Sequence, residues 1–135
     1  GDGIEKHRLR KKAASMGIEQ NIYFEGFQKN IIPYYLKAKL TVLSSLYEGF
    51  PNVIVESIAL GTPVVAFNCP SGPSELIEDG INGRLAAYKS VDDLAQKMIK
   101  VLDESFDVGA MKQTVHRFLS STSLNQYLKI VGQYL

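Results

Sequence analysis

Residues 40–67 constrain the fold most. They read as an apolar run (LTVLSS), a loop, a helix opened by Pro51 and closed at Gly61, and a second apolar run, PVVAF. The second run lacks polar alternation, as expected of a strand with both faces covered in a parallel sheet. Joining two such strands through a helix makes that helix a right-handed crossover between parallel neighbours. Further strands are predicted at 22–24 and 84–86. Further helices are predicted over 4–16, with Gly17 as its stop, over 30–38, with Asn30 as N-cap, and around 73–78. Residues 90–104 give the clearest helical pattern: Ser90 and Asp93 read as a capping box, and Val91, Leu94, Ala95, Met98, Ile99 and Leu102 as one apolar face. From about residue 109 the pattern is helical again, in two segments broken near Ser120 to Ser123. Four alternations of strand and helix predict an α/β fold, a doubly wound parallel sheet with helices on both faces.

Composition narrows the function classes. The chain has 135 residues, 45% hydrophobic and 21% charged, values typical of a globular domain. Fifteen Lys and Arg against fourteen Asp and Glu leave a net charge of +1, which argues against a dedicated nucleic-acid binder. A single cysteine, Cys69, and two separated histidines give no metal-ligand cluster to read. No apolar run approaches the ~20 residues that span a bilayer, and the expected location is cytoplasmic. The opening Gly1-Asp2-Gly3 is the kind of turn that follows a strand, so the expectation is one domain over 1–135, cut at its N-terminus from a longer protein. A dinucleotide fingerprint there fails, because its third glycine would fall at Lys6.

Parallel α/β sheets bind ligands beyond the carboxyl ends of their strands, which directs attention to residues 1–4, 26–30, 44–52 and 68–74. The most informative segment is Glu48-Gly-Phe-Pro-Asn-Val-Ile-Val-Glu56. Free amides around Phe50 to Val53, at the start of the helix opened by Pro51, suit a phosphate. Glu56, inside the first turns, can accept two hydroxyl hydrogen bonds from a ribose. Two glutamates beside an amide cluster fit a nucleotide joined to a sugar better than a free phosphate. The spacing alone proves little, since chance supplies such a pair in a chain with this many glutamates.

Context sharpens it. The block YEGFPNVIVESIALGTPVVAFNCPSGPSELIEDGINGRL, residues 47–85, closely resembles the donor-binding half of GT-B retaining glycosyltransferases, family 4 in particular. The resemblance runs upstream through IYFEGF to Gly1-Asp2-Gly3 and downstream through the helix after Ser90. It implies that Glu56 holds the ribose and Glu48 lies against the donor sugar near the developing oxocarbenium. It further implies that the N–H groups of Gly49 and Phe50 meet the sugar, those of Asn52 and Val53 beyond Pro51 meet the diphosphate, and the turn at Gly26 and Phe27 faces the base. The implied reaction transfers a hexose or N-acetylhexosamine, with retention and without a metal, from a nucleoside-diphosphate sugar to an acceptor hydroxyl. A UDP-sugar is the expected donor and GDP-mannose the alternative. The family's diphosphate-binding Arg and Lys precede the Gly-x-Gly turn, and its acceptor domain is N-terminal. The resemblance therefore implies a unit that binds a donor without turning it over alone.

Other features have plainer readings. Lys6, Arg8, Arg10, Lys11 and Lys12 form a solvated helix face, with peripheral contact to anionic lipid as the alternative. Cys69 is a passive small residue, and Asn68–Pro73 (NCPSGP) is a candidate donor-facing loop, since Gly72 allows close backbone approach. Tyr34, Tyr35, Tyr127 and Tyr134 are expected in packing and His116 on the surface. Two rival functions remain at this level: a non-catalytic interaction module of the same shape, and a fragment of a sugar-nucleotide epimerase.

Overall fold

The computed structural model describes residues 3–119 together with Lys129 and Gly132; the break expected near Ser120 to Ser123, and Tyr127 and Tyr134, lie outside these. The chain forms two compact units, Gly1–Ile31 and Ile32–Leu135.

In the first unit, helix α1 (Lys6–Ser15) carries Leu9, Ala13 and Met16 on one side. With Ile18, Ile22 and Phe24 they line a shallow hollow of about 270 Å³. The helix ends where Gly17 N–H donates to Ala14 O and Ile18 N–H to Ala13 O, closing its last turn. A 3-10 turn, Glu19–Asn21, leads into extended backbone at Ile22. Residues 22–24 form no ladder, contrary to the predicted strand. Ile22 and Phe24 line the hollow beside α1 while Tyr23 is exposed, and among the described residues no strand pairs with them. Arg10 lies over the Phe24 ring, 5.4 Å from its centroid.

In the second unit, three strands stand in the order β1 (Thr41–Leu43), β2 (Val64–Phe67), β3 (Gly83–Ala86), all parallel. The preceding helix α2 covers Ile32–Lys37, so it starts later than Asn30 would cap. Crossovers are α3 (Asn52–Ala59) and the one-turn α4 (Pro73–Leu76); α5 (Val91–Asp103) and α6 (Val108–Val115) follow, ending in a 3-10 turn, His116–Phe118. Every residue of β2 is buried. Val64 and Ala66 face a core of Ile54, Val55 and Ile58 from α3, Leu76 and Ile77, and Met111 and Val115 from α6. Val65 and Phe67 face the other way, onto Ala86, Leu94 and Val101. The doubly wound arrangement is thus present, with helices on both faces, built on three strands among the described residues.

Buried polar groups are paired. Ser57 Oγ lies 2.9 Å from Thr62 O and 2.8 Å from Thr41 Oγ1. With one proton it donates to the carbonyl and accepts from the threonine. Gly61, with φ of +88°, reverses the chain after α3 so that Thr62 N–H reaches Ser57 O. Asn82 is fully buried: its amide donates to Leu76 O and Thr114 Oγ1 and its oxygen accepts from Glu78 N–H.

Helix α5 departs from its predicted face. Its sheet-facing stripe is Leu94, Met98 and Val101, while Val91, Ile99 and Leu102 are 71%, 62% and 51% exposed, and Ala95 is exposed too. Val101 and not Leu102 lies seven residues, two helical turns, beyond Leu94. The capping box is also incomplete. Ser90 Oγ accepts from Asp93 N–H, but Ser90 N–H already donates to Ala87 O, and Asp93 Oδ2 takes the Ala87 N–H instead.

Arg84 on β3 forks onto Glu104 (Nε–Oε2 3.1 Å, Nη2–Oε1 2.5 Å) and reaches Asp79 at 2.7 Å. The Arg84 guanidinium holds the Glu104 carboxyl below the usual glutamate range. A depressed folded-state value stabilises above the unfolded value and is lost as pH falls through the folded one. Wild type should therefore exceed Glu104→Gln in stability at neutral pH, and the gap should close below about pH 4.5. Urea unfolding of both proteins across that range measures it; a gap independent of pH would show that the pair contributes nothing through charge.

Candidate functional site

Because all three strands run the same way, their carboxyl ends share one edge, and three loops leave it: 44–51 after β1, 68–72 after β2 and 87–90 after β3. Hydrogen bonds tie them together. Tyr88 Oη donates to Leu46 O at 2.9 Å, and Ser71 Oγ donates to Glu48 O. Gly72 has φ of +91°, and a Cβ there would lie 2.7 Å from Pro51 Cδ and 2.9 Å from Gly49 O. The NCPSGP loop thus comes close, at Gly72, to the Gly49–Pro51 turn. Cys69 is buried beside it, with Sγ 3.4 Å from Ser71 O.

These contacts consume carbonyl oxygens. Besides Leu46 O and Glu48 O, Phe50 O accepts from Asn52 N–H and Pro51 O from Ile54 N–H. The N–H groups of Gly49, Phe50 and Val53 meet no acceptor among the described residues. Pro51, buried, is the N-cap of α3 and has no N–H. The turn thus presents unpaired donors at the positive end of a helix, an arrangement suited to anionic oxygens.

Two carboxylates bracket these donors along the chain. Glu48 is half-buried in the loop. Glu56, also half-buried, sits one turn into α3 and accepts a hydrogen bond from Tyr35 Oη at 3.2 Å. Phe50 packs at 5.5 Å against Phe118 of the C-terminal 3-10 turn, and Arg117 lies over the Phe118 ring. Glu48, Gly49, Phe50, Pro51, Asn52, Val53 and Glu56 therefore occupy one continuous loop and helix start. Gly26, with φ of +71°, and Phe27, 77% exposed, belong to the first unit, in a turn closed by Gln28 Nε2 donating to Glu25 O.

Sequence reasoning missed the clamping side chains. Ser71 lies in the flagged loop but was not singled out. Tyr88 is the first aromatic residue after β3, and the parallel topology alone would have sent it to this edge. Tyr35 is buried as expected of packing, yet its hydroxyl meets a carboxylate, whereas Tyr34 is 44% exposed. His116 is exposed, as predicted.

A family model described as glycosyl transferases group 1 matches residues 1–119. The lipopolysaccharide core biosynthesis glycosyltransferase LpsE of Rhizobium meliloti is 32% identical over 105 residues, 78% of this chain and 31% of that protein. The poly(ribitol-phosphate) alpha-N-acetylglucosaminyltransferase of Staphylococcus aureus is 28% identical over 135 residues, 96% of this chain and 27% of that protein. A crystal structure of a TarM variant from S. aureus, with fondaparinux, alpha-GlcNAc-glycerol and UDP, matches with a TM-score of 0.79 at 28% identity, over 96% of this chain and 27% of that one. The lipopolysaccharide outer core galactosyltransferase WaaB, in its apo form, shares the fold with a TM-score of 0.78 at 23% identity, over 98% of this chain and 39% of that one. The chain spans 14% to 34% of the length of the curated relatives it matches.

The seat of Gly72 gives a direct test. Gly72→Ala should cost about 1–3 kcal/mol from the positive φ alone, and more from the contact with Pro51 and the Gly49 carbonyl. Chemical denaturation measures the loss, and amide shifts should spread to Glu48 and Gly49. An unchanged midpoint with unmoved shifts would show that the two loops are not packed together.

Proposed function

Because the chain belongs to the glycosyl transferases group 1 family, we propose that it is the donor-binding part of a retaining glycosyltransferase. The donor is a nucleoside-diphosphate hexose or N-acetylhexosamine, with uridine as the base, and the acceptor is a hydroxyl in polysaccharide or glycolipid assembly. The observation that carries this reading is the surplus of N–H donors at Gly49, Phe50 and Val53, lying in sequence between the carboxylates of Glu48 and Glu56. Uridine is favoured because the TarM variant, 28% identical, was crystallised with UDP.

In this reading Glu56 accepts the ribose hydroxyls, and Glu48 hydrogen-bonds the sugar and offers negative charge to the oxocarbenium. The N–H groups of Gly49 and Phe50 meet the sugar and that of Val53 the diphosphate. Asn52 joins them by giving up its bond to Phe50 O. Pro51 fixes the turn that aims them. Charge developing on the departing diphosphate is met by fixed dipoles, the main catalytic term. The proposal calls on no metal. Turnover needs an acceptor-binding domain outside residues 1–135. Lys6, Arg8, Arg10, Lys11 and Lys12, on α1, suit contact with the anionic cytoplasmic face of a membrane. No helix among the described residues is long and apolar enough to cross one.

Adding UDP or a UDP-sugar should shift the amide resonances of Gly49, Phe50, Val53 and Glu56. Glu56→Ala should weaken that binding by about 1–3 kcal/mol, the cost of leaving hydroxyl partners unpaired. If saturating UDP, UDP-sugar and GDP-mannose all leave those resonances unmoved, the donor-site reading fails. A Glu56→Ala protein that loses only stability would favour a scaffold.

A further inference from the structure

We propose that Tyr35 is a positioning residue that sets the Glu56 carboxylate for a ribose, and so a determinant of ribonucleotide over deoxyribonucleotide binding; this rests on the donor-site reading of Glu56. Tyr35 Oη donates to Glu56 Oε2 at 3.2 Å, across from α2 to α3. A carboxylate accepts along about four lone-pair directions, and adjacent 2′ and 3′ hydroxyls need both oxygens presented side by side. A half-buried glutamate side chain with no fixed partner samples several rotamers, and ordering it on binding costs free energy. A phenol bound to one oxygen removes much of that freedom beforehand, and it leaves Oε1 and the second lone pair of Oε2 to the ligand.

The phenol can do this because it is itself fixed. Tyr35 is buried, packed with Ile32 and Leu60 and against Val53. Its main-chain oxygen accepts from buried Thr62 Oγ1 at 2.7 Å. The carbonyl of Thr62 is in turn held by Ser57 Oγ, which also contacts Thr41 Oγ1 on β1. A chain of paired groups therefore runs from the sheet, through the turn after α3, into α2 and out to the carboxylate. Removal of the Thr62–Tyr35 bond would loosen the ring, whereas removal of the phenol oxygen frees the carboxylate and leaves the packing of the ring in place.

The test compares wild type, Tyr35→Phe and Glu56→Ala in the 135-residue chain, by calorimetric titration with UDP, 2′-deoxy-UDP, GDP and 2′-deoxy-GDP. Wild type should prefer the ribonucleotide of the base it binds. Tyr35→Phe keeps the ring and its packing, so its melting temperature should stay near that of wild type. Its preference for ribo over deoxy should fall about three- to tenfold, a fraction of the worth of a hydrogen bond to a charged group, since the phenol acts on the ligand only through the carboxylate. Glu56→Ala should abolish the preference. If Tyr35→Phe weakens both nucleotides equally, or changes neither, Tyr35 is a packing residue and the inference is overturned. If wild type binds a nucleotide but shows no ribo preference, the assignment of Glu56 to the ribose fails and takes the inference with it. If wild type binds none of the four, the donor-site reading itself is overturned.

Discussion

The rest of the larger unit hangs on four residues, Val64 to Phe67, the middle strand of a parallel sheet. Both faces and both edges of this strand are covered. Alternate side chains divide the interior in two, Val64 and Ala66 toward α3 and α6, Val65 and Phe67 toward α5. Burial of four such residues contributes several kcal/mol, at roughly 25 cal/mol per Å² of apolar surface. Its more specific consequence is directional. Parallel neighbours on either side oblige the loops after all three strands to leave by the same edge, and this brings residues far apart in the chain within hydrogen-bonding reach.

At that edge the loops are joined by side chains that capture main-chain carbonyls. Tyr88 takes Leu46 O, and Ser71 takes Glu48 O. Gly72 is tight against the Gly49 carbonyl and Pro51 because it has no Cβ. A peptide whose oxygen is fixed has its N–H fixed as well, since the group is planar. Holding the turn by its acceptors therefore orients its donors without occupying them. Preorganised donors cost little reorganisation when an anion arrives, and this is the physical basis for reading the turn as a phosphate and sugar site.

Much of this was legible. The PVVAF run, the Pro51 start and Gly61 end of α3, and the Glu48–Glu56 segment follow from propensity, φ requirements and motif. The misses have definite causes. Residues 22–24 have strand-forming side chains but no strand to pair with among the described residues, and Ile22 and Phe24 line the hollow beside α1. Helix α5 has more apolar residues than one sheet face can cover, so hydrophobicity alone could not distinguish Val101 from Leu102. Asp93 was assigned to Ser90 by spacing, but the Ser90 N–H was already committed to Ala87 O. The bonds of buried Asn82 to Leu76 O and Thr114 Oγ1 leave no mark in the sequence.

The sequence by itself determined the α/β class, the parallel strands, the shared edge from which the loops after them leave and the residues of the donor-rich turn, because these depend on local pattern and on connection length. Only the tertiary structure decided which remote side chains hold that turn and its carboxylates: Ser71 on Glu48 O, Tyr88 on Leu46 O and Tyr35 on Glu56. A single hydrogen bond leaves no periodic trace in a sequence. It exists only where packing of the two cores brings a hydroxyl to within about 3 Å of an oxygen.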